Sequence, residues 1–312
     1  MNKKLYFSFN DYLKKRFNAK VYKVCIDGKF FCPNRDGTFS KKGCIYCDAK
    51  GSSSRTNENS ASIKEQVLNN IDFRRTRYKA KKFIIYFQSF SNTYADIEIL
   101  KKKYDEALFV DPDILGISIS TRPDCIDEEK IKLIHSYKEK FPFVNIEFGL
   151  QSIHNRTLEL INRQHTFEDF LKAFELCKKY KIDQTAHVIL NLPNETLEDM
   201  LETAKMLAKL NIEGVKIHQL SLLKNTYLEK YFKEKKWKPF IFEEFIETVI
   251  KFIELLPPEM IIHRFSGSGY PRDILAPIWA RDPNKNKIVK IIKEELLKKK
   301  SHQGFLFRKS SF

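Results

Sequence analysis

The sequence contains no run of 18 or more uninterrupted apolar residues, so no transmembrane helix is expected. Its opening stretch, MNKKLYFSFNDYLKKRF, lacks the apolar core and small-residue cleavage site of a secretory leader. A cytoplasmic protein is therefore expected, with thiols reduced and no disulfide framework. No linker, internal repeat or low-complexity segment interrupts the 312 residues, which suffice for one large α/β domain or a barrel with an extension. Acidic residues are in short supply: 40 Asp and Glu face 56 Lys and Arg, a formal charge of +16. That excess favours a polyanionic partner, because Lys and Arg neutralising phosphates supply much of nucleic-acid affinity. Lys greatly outnumbers Arg, so a general compositional habit explains the charge equally well.

Cysteine is also scarce. Of six in the chain, three fall in one polar, turn-rich stretch, CPNRDGTFSKKGCIYCDAKGSSS, as Cys32, Cys44 and Cys47. A structural zinc site wants four ligands, usually as two close pairs. Cys44 and Cys47 make one pair, and no second pair lies nearby; Cys25 sits in an apolar run and reads as a small core residue. Three thiolates also suit a [4Fe–4S] cubane with one iron left open. Spacing alone leaves both metals in play. Cys125 and Cys177 are isolated and read as small apolar fillers, so a second cluster is not expected.

Short apolar runs alternate with amphipathic stretches through most of the chain. Strands are expected at 21–26, 82–88, 113–120, 143–151, 184–192 and 214–220, and helices near 62–79, 94–108, 127–140, 166–180 and 196–210. Asp127 ahead of EEKIKLI, and Thr166 three residues before Asp169, mark helix starts. Six strand–helix alternations imply a parallel sheet, either open and doubly wound or a partial TIM-like barrel. In both, reactive groups gather at the C-terminal strand ends. The cysteine loop, QSFSNTY, STRPD, GLQS, NLPNET and HQLSLLKNT each follow one strand, which predicts a single site on one rim. Beyond about residue 225 the pattern changes to a helix over 241–256, a strand over 259–265, a GSGYPRD loop and a lysine-rich helix near 284–300. Residues 1–225 are thus read as the barrel with its cluster loop, and 226–312 as an α/β extension packed on it.

The cysteine loop, YFQSFSNTY, STRPD, EFGLQS with INRQH twelve residues on, and ILNLPNET together resemble the radical S-adenosylmethionine (radical SAM) superfamily. CPNRDGT, GC-x-x-C, YFQ-x-x-x-NTYA, STRPD and LLPPEMIIHR, in that order, resemble more closely its bacterial YhcC/YtqA-like family, which is akin to the radical SAM core of Elongator-type tRNA-modifying proteins. The resemblance runs from about residue 5 to residue 305. Most of the superfamily spaces its cysteines C-x3-C-x2-C, whereas eleven residues separate Cys32 from Cys44 here; the closer family shares the long gap.

The resemblance implies a partial TIM-like (β/α)6 barrel in which Cys32, Cys44 and Cys47 hold a [4Fe–4S] cluster and the open iron chelates S-adenosylmethionine (SAM). Reductive cleavage of SAM would yield a 5′-deoxyadenosyl radical that takes hydrogen from substrate. Tyr46 matches an aromatic position near the adenine, Gln88 and Ser89 the site of the SAM amino group, and Ser120 a contact to ribose or methionyl. Gln151 and Arg163 match a polar pair in which the arginine holds the SAM carboxylate. His187 stands where relatives carry an acidic ribose contact. Arg122 and Asp124 pair with each other or serve the site, and Glu147 is a SAM contact or a satisfied core carboxylate. His218, His263 and Arg264 face substrate or are hydrogen-bonded core groups, while His135, His154 and His302 are expected on the surface.

The implied partners are tRNA, through its anticodon arm, and an electron donor such as flavodoxin or ferredoxin; no membrane is implied. The implied reaction shortens a wobble 5-carboxymethylaminomethyl group on uridine to 5-aminomethyl. Anticodon loops offer unstacked bases at low cost. RRTRYKAKK (74–82) and the lysines of 285–300 either track phosphates or form solvated helix faces. A radical enzyme for a small molecule or protein side chain, and a non-enzymatic metal or nucleic-acid module, are the competing readings.

Overall fold

The computed structural model describes residues 4–48, 51, 62–267 and 271–308. Parts of the cysteine stretch (49, 50, 52–54) and of the GSGYPRD loop (268–270) lie outside the described residues. Seven strands form one parallel sheet curved into a half-barrel: β1 (Val21–Ile26), β2 (Lys82–Phe87), β3 (Ile114–Thr121), β4 (Phe143–Gln151), β5 (Asp183–Leu190), β6 (Gly214–Gln219) and β8 (Ile261–Arg264), adjacent in that order. The strand expected at 259–265 is therefore not a separate unit. It continues the sheet by pairing with β6. A two-stranded antiparallel ribbon, β7 (Leu222–Leu223) with β9 (Ile274–Ala276), lies beside the rim and was not expected.

Between the strands run α2 (Ile63–Tyr78), α3 (Ile97–Leu108), α4 (Glu128–Ser136), α6 (Phe167–Lys179) and α7 (Leu197–Leu210). Their starts are fixed locally. Ser62 with Glu65, Thr166 with Asp169 and Thr196 with Asp199 each form a capping box that satisfies otherwise unpaired amides. Short α5 (Asn155–Leu160) and α8 (Leu228–Lys233) were not expected; α9 (Phe242–Glu254) and α10 (Asn286–Lys298) follow.

The apolar core sits outside the half-barrel, between sheet and helices. Val24, Phe83, Phe87, Ile117, Phe148, Val188 and Ile217 are all at most 1% exposed and pack on helix residues such as Val67, Leu100, Phe170, Leu207 and Val249. Because side chains alternate across a strand, the intervening residues point inward, and here many are polar: Lys23, Ser118, Asn145, Glu147, Thr185, His187, Lys216 and His218. TIM-barrel interiors are usually filled by branched apolar residues. This interior is built for charge instead.

α1 (Phe9–Phe17), also not expected, closes the N-terminal end of the barrel. Ser8 bridges to Ile262, and the Phe9 ring stacks 4.2 Å from His263. The C-terminal segment returns to the same end: Gln303 accepts from Phe7 N and donates to Pro257 O and Met260 O. The opposite end, where strands terminate, is left open as a cavity.

Candidate active site

The cysteine loop leaves β1 and folds on itself. Arg35 N and Asp36 N donate to Cys32 O, Phe39 N to Pro33 O, and Gly43 N to Asn34 O. Gly43 has φ +71°, a left-handed conformation that favours glycine, and the Arg35 side chain packs over it. Ile45, between the two close cysteines, is buried among Leu158, Ile161, Ile189, Leu220 and Leu228. Its backbone is held on both sides, by Ile161 O and Leu228 N. Asn162 donates to Gly43 O and Asn34 to Asn162 O. The loop is thereby fixed to the rim by one apolar anchor and a ring of backbone bonds.

This rim encloses one cavity lined by Cys32, Cys44, Cys47, Tyr46, Gln88, Ser120, Gln151, Arg163 and His187. The three thiols and six of the seven residues singled out as SAM contacts thus share one wall. Ser89 does not; it is buried at 1% exposure behind the cavity surface. Asn92 and Thr93, from the same QSFSNTY loop, serve the fold: Asn92 bonds Ser120 O and Phe87 O, and Thr93 bonds Thr121 and Cys125 O. Arg122 and Asp124 form a two-point ion pair, and Arg122 also reaches the cavity wall.

Arg163 is the electrostatic hinge of the site. Its Nη1 points at Cys44 Sγ (3.6 Å), Nη2 donates to Gly149 O (2.7 Å), and Nε donates to His165 Nε2 (2.9 Å). Gly149 makes room, since a Cβ there would lie 2.6 Å from Nη2. Burial raises the Cys44 thiol, but Arg163 and Arg122 outweigh it and bring it below the ordinary thiol range. Cys47 is pushed up to about 12 by burial and then by the charge on Cys44. His165 is kept neutral by burial and by Arg163, which fixes it as the acceptor in their bond. Sequence reasoning missed His165, and INRQH held the signal.

Among the described residues, the one trio of metal-capable side chains with ligand atoms within 4.8 Å is His154, Asp199 and Glu202. Ligands of a single zinc, with Zn–S near 2.3 Å, would come closer than that. Spread thiols beside Arg35, Arg122 and Arg163 suit an anionic thiolate-bound cluster better than one ion. His154 itself departs from its expected surface place: its side chain is 14% exposed, with Nε2 2.9 Å from Asp199 O.

Beside the cavity lies an ionic layer in the barrel interior. Glu147 is fully buried and contacts Lys23, Lys216, Ser118 and His187 (2.9 Å to its Nε2). Burial alone would raise this carboxyl, but Lys216 and Lys23 hold it well below its usual range. Lys216 falls to about 7, chiefly by burial and only partly offset by Glu147, and its Nζ lies 3.1 Å from the Tyr86 hydroxyl. His187 is lowered to about 4 by burial and Lys216, so it is neutral and donates to Glu147 through Nε2. Glu147 is thus a satisfied interior carboxylate. His263 faces Thr185 and Phe9 at the closed end, away from the cavity, whereas His218 and Arg264 line it.

The basic segment 74–82 lies at the wrong end for this cavity. It joins the end of α2 to the start of β2, and Arg75 and Lys82 are paired with Asp111 and Asp113. The start of α10 is nearer the rim, since Lys285 donates to Ala280 O, four residues past the ribbon strand β9. No helix among the described residues is long and apolar enough to cross a membrane.

Comparison with known proteins gives the following. The model of the radical SAM superfamily matches residues 31–207, and that of the Radical_SAM C-terminal domain residues 212–298. The uncharacterized protein YtqA of Bacillus subtilis is 37% identical over 98% of this chain and 94% of its own length. A tRNA uridine(34) acetyltransferase of Methanocaldococcus infernus is 27% identical over 59% of this chain, which spans 34% of that protein. The solved structure of M. infernus Elp3 lacking its N-terminus superposes with a TM-score of 0.71 at 18% identity, covering 91% of this chain, which spans 64% of that one. That likeness establishes a shared fold. The family uses a [4Fe–4S] cluster and SAM. By the match over more than half its length and by its kinship to YtqA, this chain belongs to the radical SAM superfamily of enzymes.

Proposed function

We propose that this enzyme acts on tRNA, shortening a wobble 5-carboxymethylaminomethyluridine to 5-aminomethyluridine with an electron donor of the flavodoxin or ferredoxin kind. The observation that carries the substrate class is the kinship of the half-barrel to a tRNA uridine(34) protein. The +16 charge is consistent with a polyanionic partner. In this reading Cys32, Cys44 and Cys47 hold the cluster. Tyr46, Gln88, Ser120, Gln151, Arg163 and His187 surround SAM, with Ser89 acting from behind the wall.

Bound in this cavity, the cluster and SAM would supply one-electron chemistry able to remove hydrogen from an unactivated carbon, which the His, Asp and Glu residues of this chain have no acid–base route to do. The protein's own contribution is positional. Arg163 steadies the Cys44 thiolate and the end of β4, while Ile45 locks the loop against the rim. Phe9 packs under Lys23, which closes on Glu147 at the N-terminal end of the barrel.

The test is nucleoside mass spectrometry of tRNA from a strain lacking the gene. It should accumulate 5-carboxymethylaminomethyluridine and lose the aminomethyl and methylaminomethyl forms. An unchanged wobble profile, in a strain with no redundant pathway, would overturn the reading.

A further inference from the structure

Two phenylalanines of the cysteine loop are exposed, Phe31 at 52% and Phe39 at 47%. Single exposed apolar side chains are common on protein surfaces and signify nothing alone. These two are set apart by what backs them. The Phe31 ring stacks on Phe90, with centres 6.0 Å apart and planes 17° from parallel. Arg122 lies 5.9 Å from the centre of the Phe39 ring. Phe90 and Arg122 both line the cavity, as does Cys32, the residue after Phe31, whereas neither exposed ring does. Both rings therefore stand at the cavity's edge, one side chain outside its wall.

Their backbones are held as well. Ser91 N donates to Phe31 O, Phe39 N donates to Pro33 O, and the Thr38 and Tyr94 hydroxyls meet at 2.9 Å. Phe90 takes one face of Phe31, so exposure of half the residue turns the other face to solvent. A ring fixed before anything binds gives up little rotamer freedom on binding. The surroundings are mainly positive. The cavity wall holds arginines and, among the described residues, no Asp or Glu. Lys41 and Lys42 are exposed on the same loop, and between Phe31 and Lys42 the one acid is Asp36.

We propose that Phe31 and Phe39 form a stacking platform for unpaired bases of the RNA substrate, those flanking the nucleotide that enters the cavity. A base drawn out of its stack leaves neighbours with uncovered faces. Every base offers such a face to an aromatic ring, and basic surface beside the ring serves the linking phosphates. That the occupant is RNA rests on the function proposed above. An electron-transfer protein approaching the cluster is the other macromolecule that would use this face, and the experiment tells the two apart.

Reconstituted holoenzyme is compared with its Phe31→Ala, Phe31→Tyr and Phe39→Ala variants, with iron content as the folding control. The probes are an anticodon stem-loop and a short single-stranded oligouridylate, titrated across a salt series. Each alanine variant should bind both on the order of tenfold more weakly, as the loss of one base–aromatic stack implies. Phe31→Tyr, which keeps the ring, should bind as wild type does. The slope of log affinity against log salt should stay the same in all four proteins, because stacking releases no counterions. Affinities in the alanine variants equal to wild type, a slope that falls by about one, or a wild type that binds neither probe would each overturn the platform. Unchanged RNA binding with slower cluster reduction by reduced flavodoxin, but not by dithionite, would overturn it in favour of the electron donor. Ring-dependent binding of the oligouridylate, with an unchanged wobble profile in the deletion strain, would keep the platform and overturn the wobble-uridine reading instead.

Discussion

Arg163 joins the end of the fourth strand to the cysteine loop, with one guanidinium nitrogen on Gly149 O and another 3.6 Å from Cys44 Sγ. A residue expected to serve SAM alone is therefore also a support of the thiol wall. Replacing it should affect both cofactors. Arg163→Ala should lose SAM affinity and also retain less iron after desalting than wild type, while Arg163→Lys should recover iron better than SAM binding, since it keeps charge near Cys44 without the three-way fork. Iron analysis and equilibrium SAM binding check this. Normal values for both in Arg163→Ala would refute the bridging role.

The thiols themselves divide by surroundings. Cys32, Cys44 and Cys47 face the cavity, whereas Cys125 and Cys177 are buried at 4% and 0% exposure. Anaerobic reconstitution should give roughly four irons per chain, as the cluster type requires. Ala at 32, 44 or 47 should abolish the cluster's visible absorption, and Cys125→Ala or Cys177→Ala should leave it. Stoichiometric zinc with no iron in wild type would exclude the assignment.

Much of this arrangement was legible in sequence, and the reason is periodicity. VYKVCI, NIEFGLQ and VKIHQ alternate outward apolar and inward polar residues, so strand positions followed directly. Asp127 ahead of EEKIKLI and Thr166 with Asp169 announced helix starts. What could not be read were meetings between distant segments. Lys23, Glu147 and Lys216 converge from the first, fourth and sixth strands. No local pattern pairs them, and each alone resembles an ordinary polar residue. α1 was missed because its sequence was weighed only as a leader, and the β7–β9 ribbon because its strands are two and three residues long. Ser89 follows Gln88 in the loop after β2, yet it is buried at 1% exposure and is absent from the cavity lining, which loop position alone does not reveal.

The ionic layer yields a stability prediction. Glu147→Gln takes away the carboxylate that holds the buried Lys216 and the partly buried Lys23, and removing one partner of a buried charge set costs about 3–5 kcal/mol. Lys216→Met in the same chain should recover part of that loss, because one of the two unpaired cations is gone. Denaturant unfolding of the single and double variants measures the coupling. Additive effects would mean that the pair does not interact as described.

Glu195, in the loop after β5, gives a pH signature. Its carboxyl is raised from 4.5 to about 7, by burial first, with the Ser152 hydroxyl only partly opposing. A carboxyl raised on folding binds its proton more tightly in the folded state. Its contribution is full below the unfolded value and is lost as pH rises through the folded one. Wild type should therefore lose stability relative to Glu195→Gln between about pH 5 and pH 8, on the order of 1–3 kcal/mol. A pH-independent difference between the two would contradict the shift.

The last prediction concerns where tRNA lies. The segment 74–82 leads into the N-terminal end of β2, opposite the cavity, and two of its cations are already paired with Asp111 and Asp113. Helix α10 runs from near the β7–β9 ribbon at the open rim toward the closed end, where Ser301 bonds Glu254 and Gln303 bonds Met260 O. Its apolar stripe, Ile288, Ile292 and Leu296, is buried, so its exposed lysines face solvent along the whole descent. A substrate held over the mouth would meet Lys287 and Lys290 before Lys298 and Lys299. Glu at 287 and 290 should thus weaken tRNA binding several-fold and flatten its dependence on salt, with each lost phosphate contact lowering the log–log slope by roughly one. The same changes at 298 and 299, or at Arg74 and Arg77, should do far less. Equilibrium binding across a salt series decides it, and equal losses from both ends of α10 would place the RNA along the flank of the barrel rather than across its mouth.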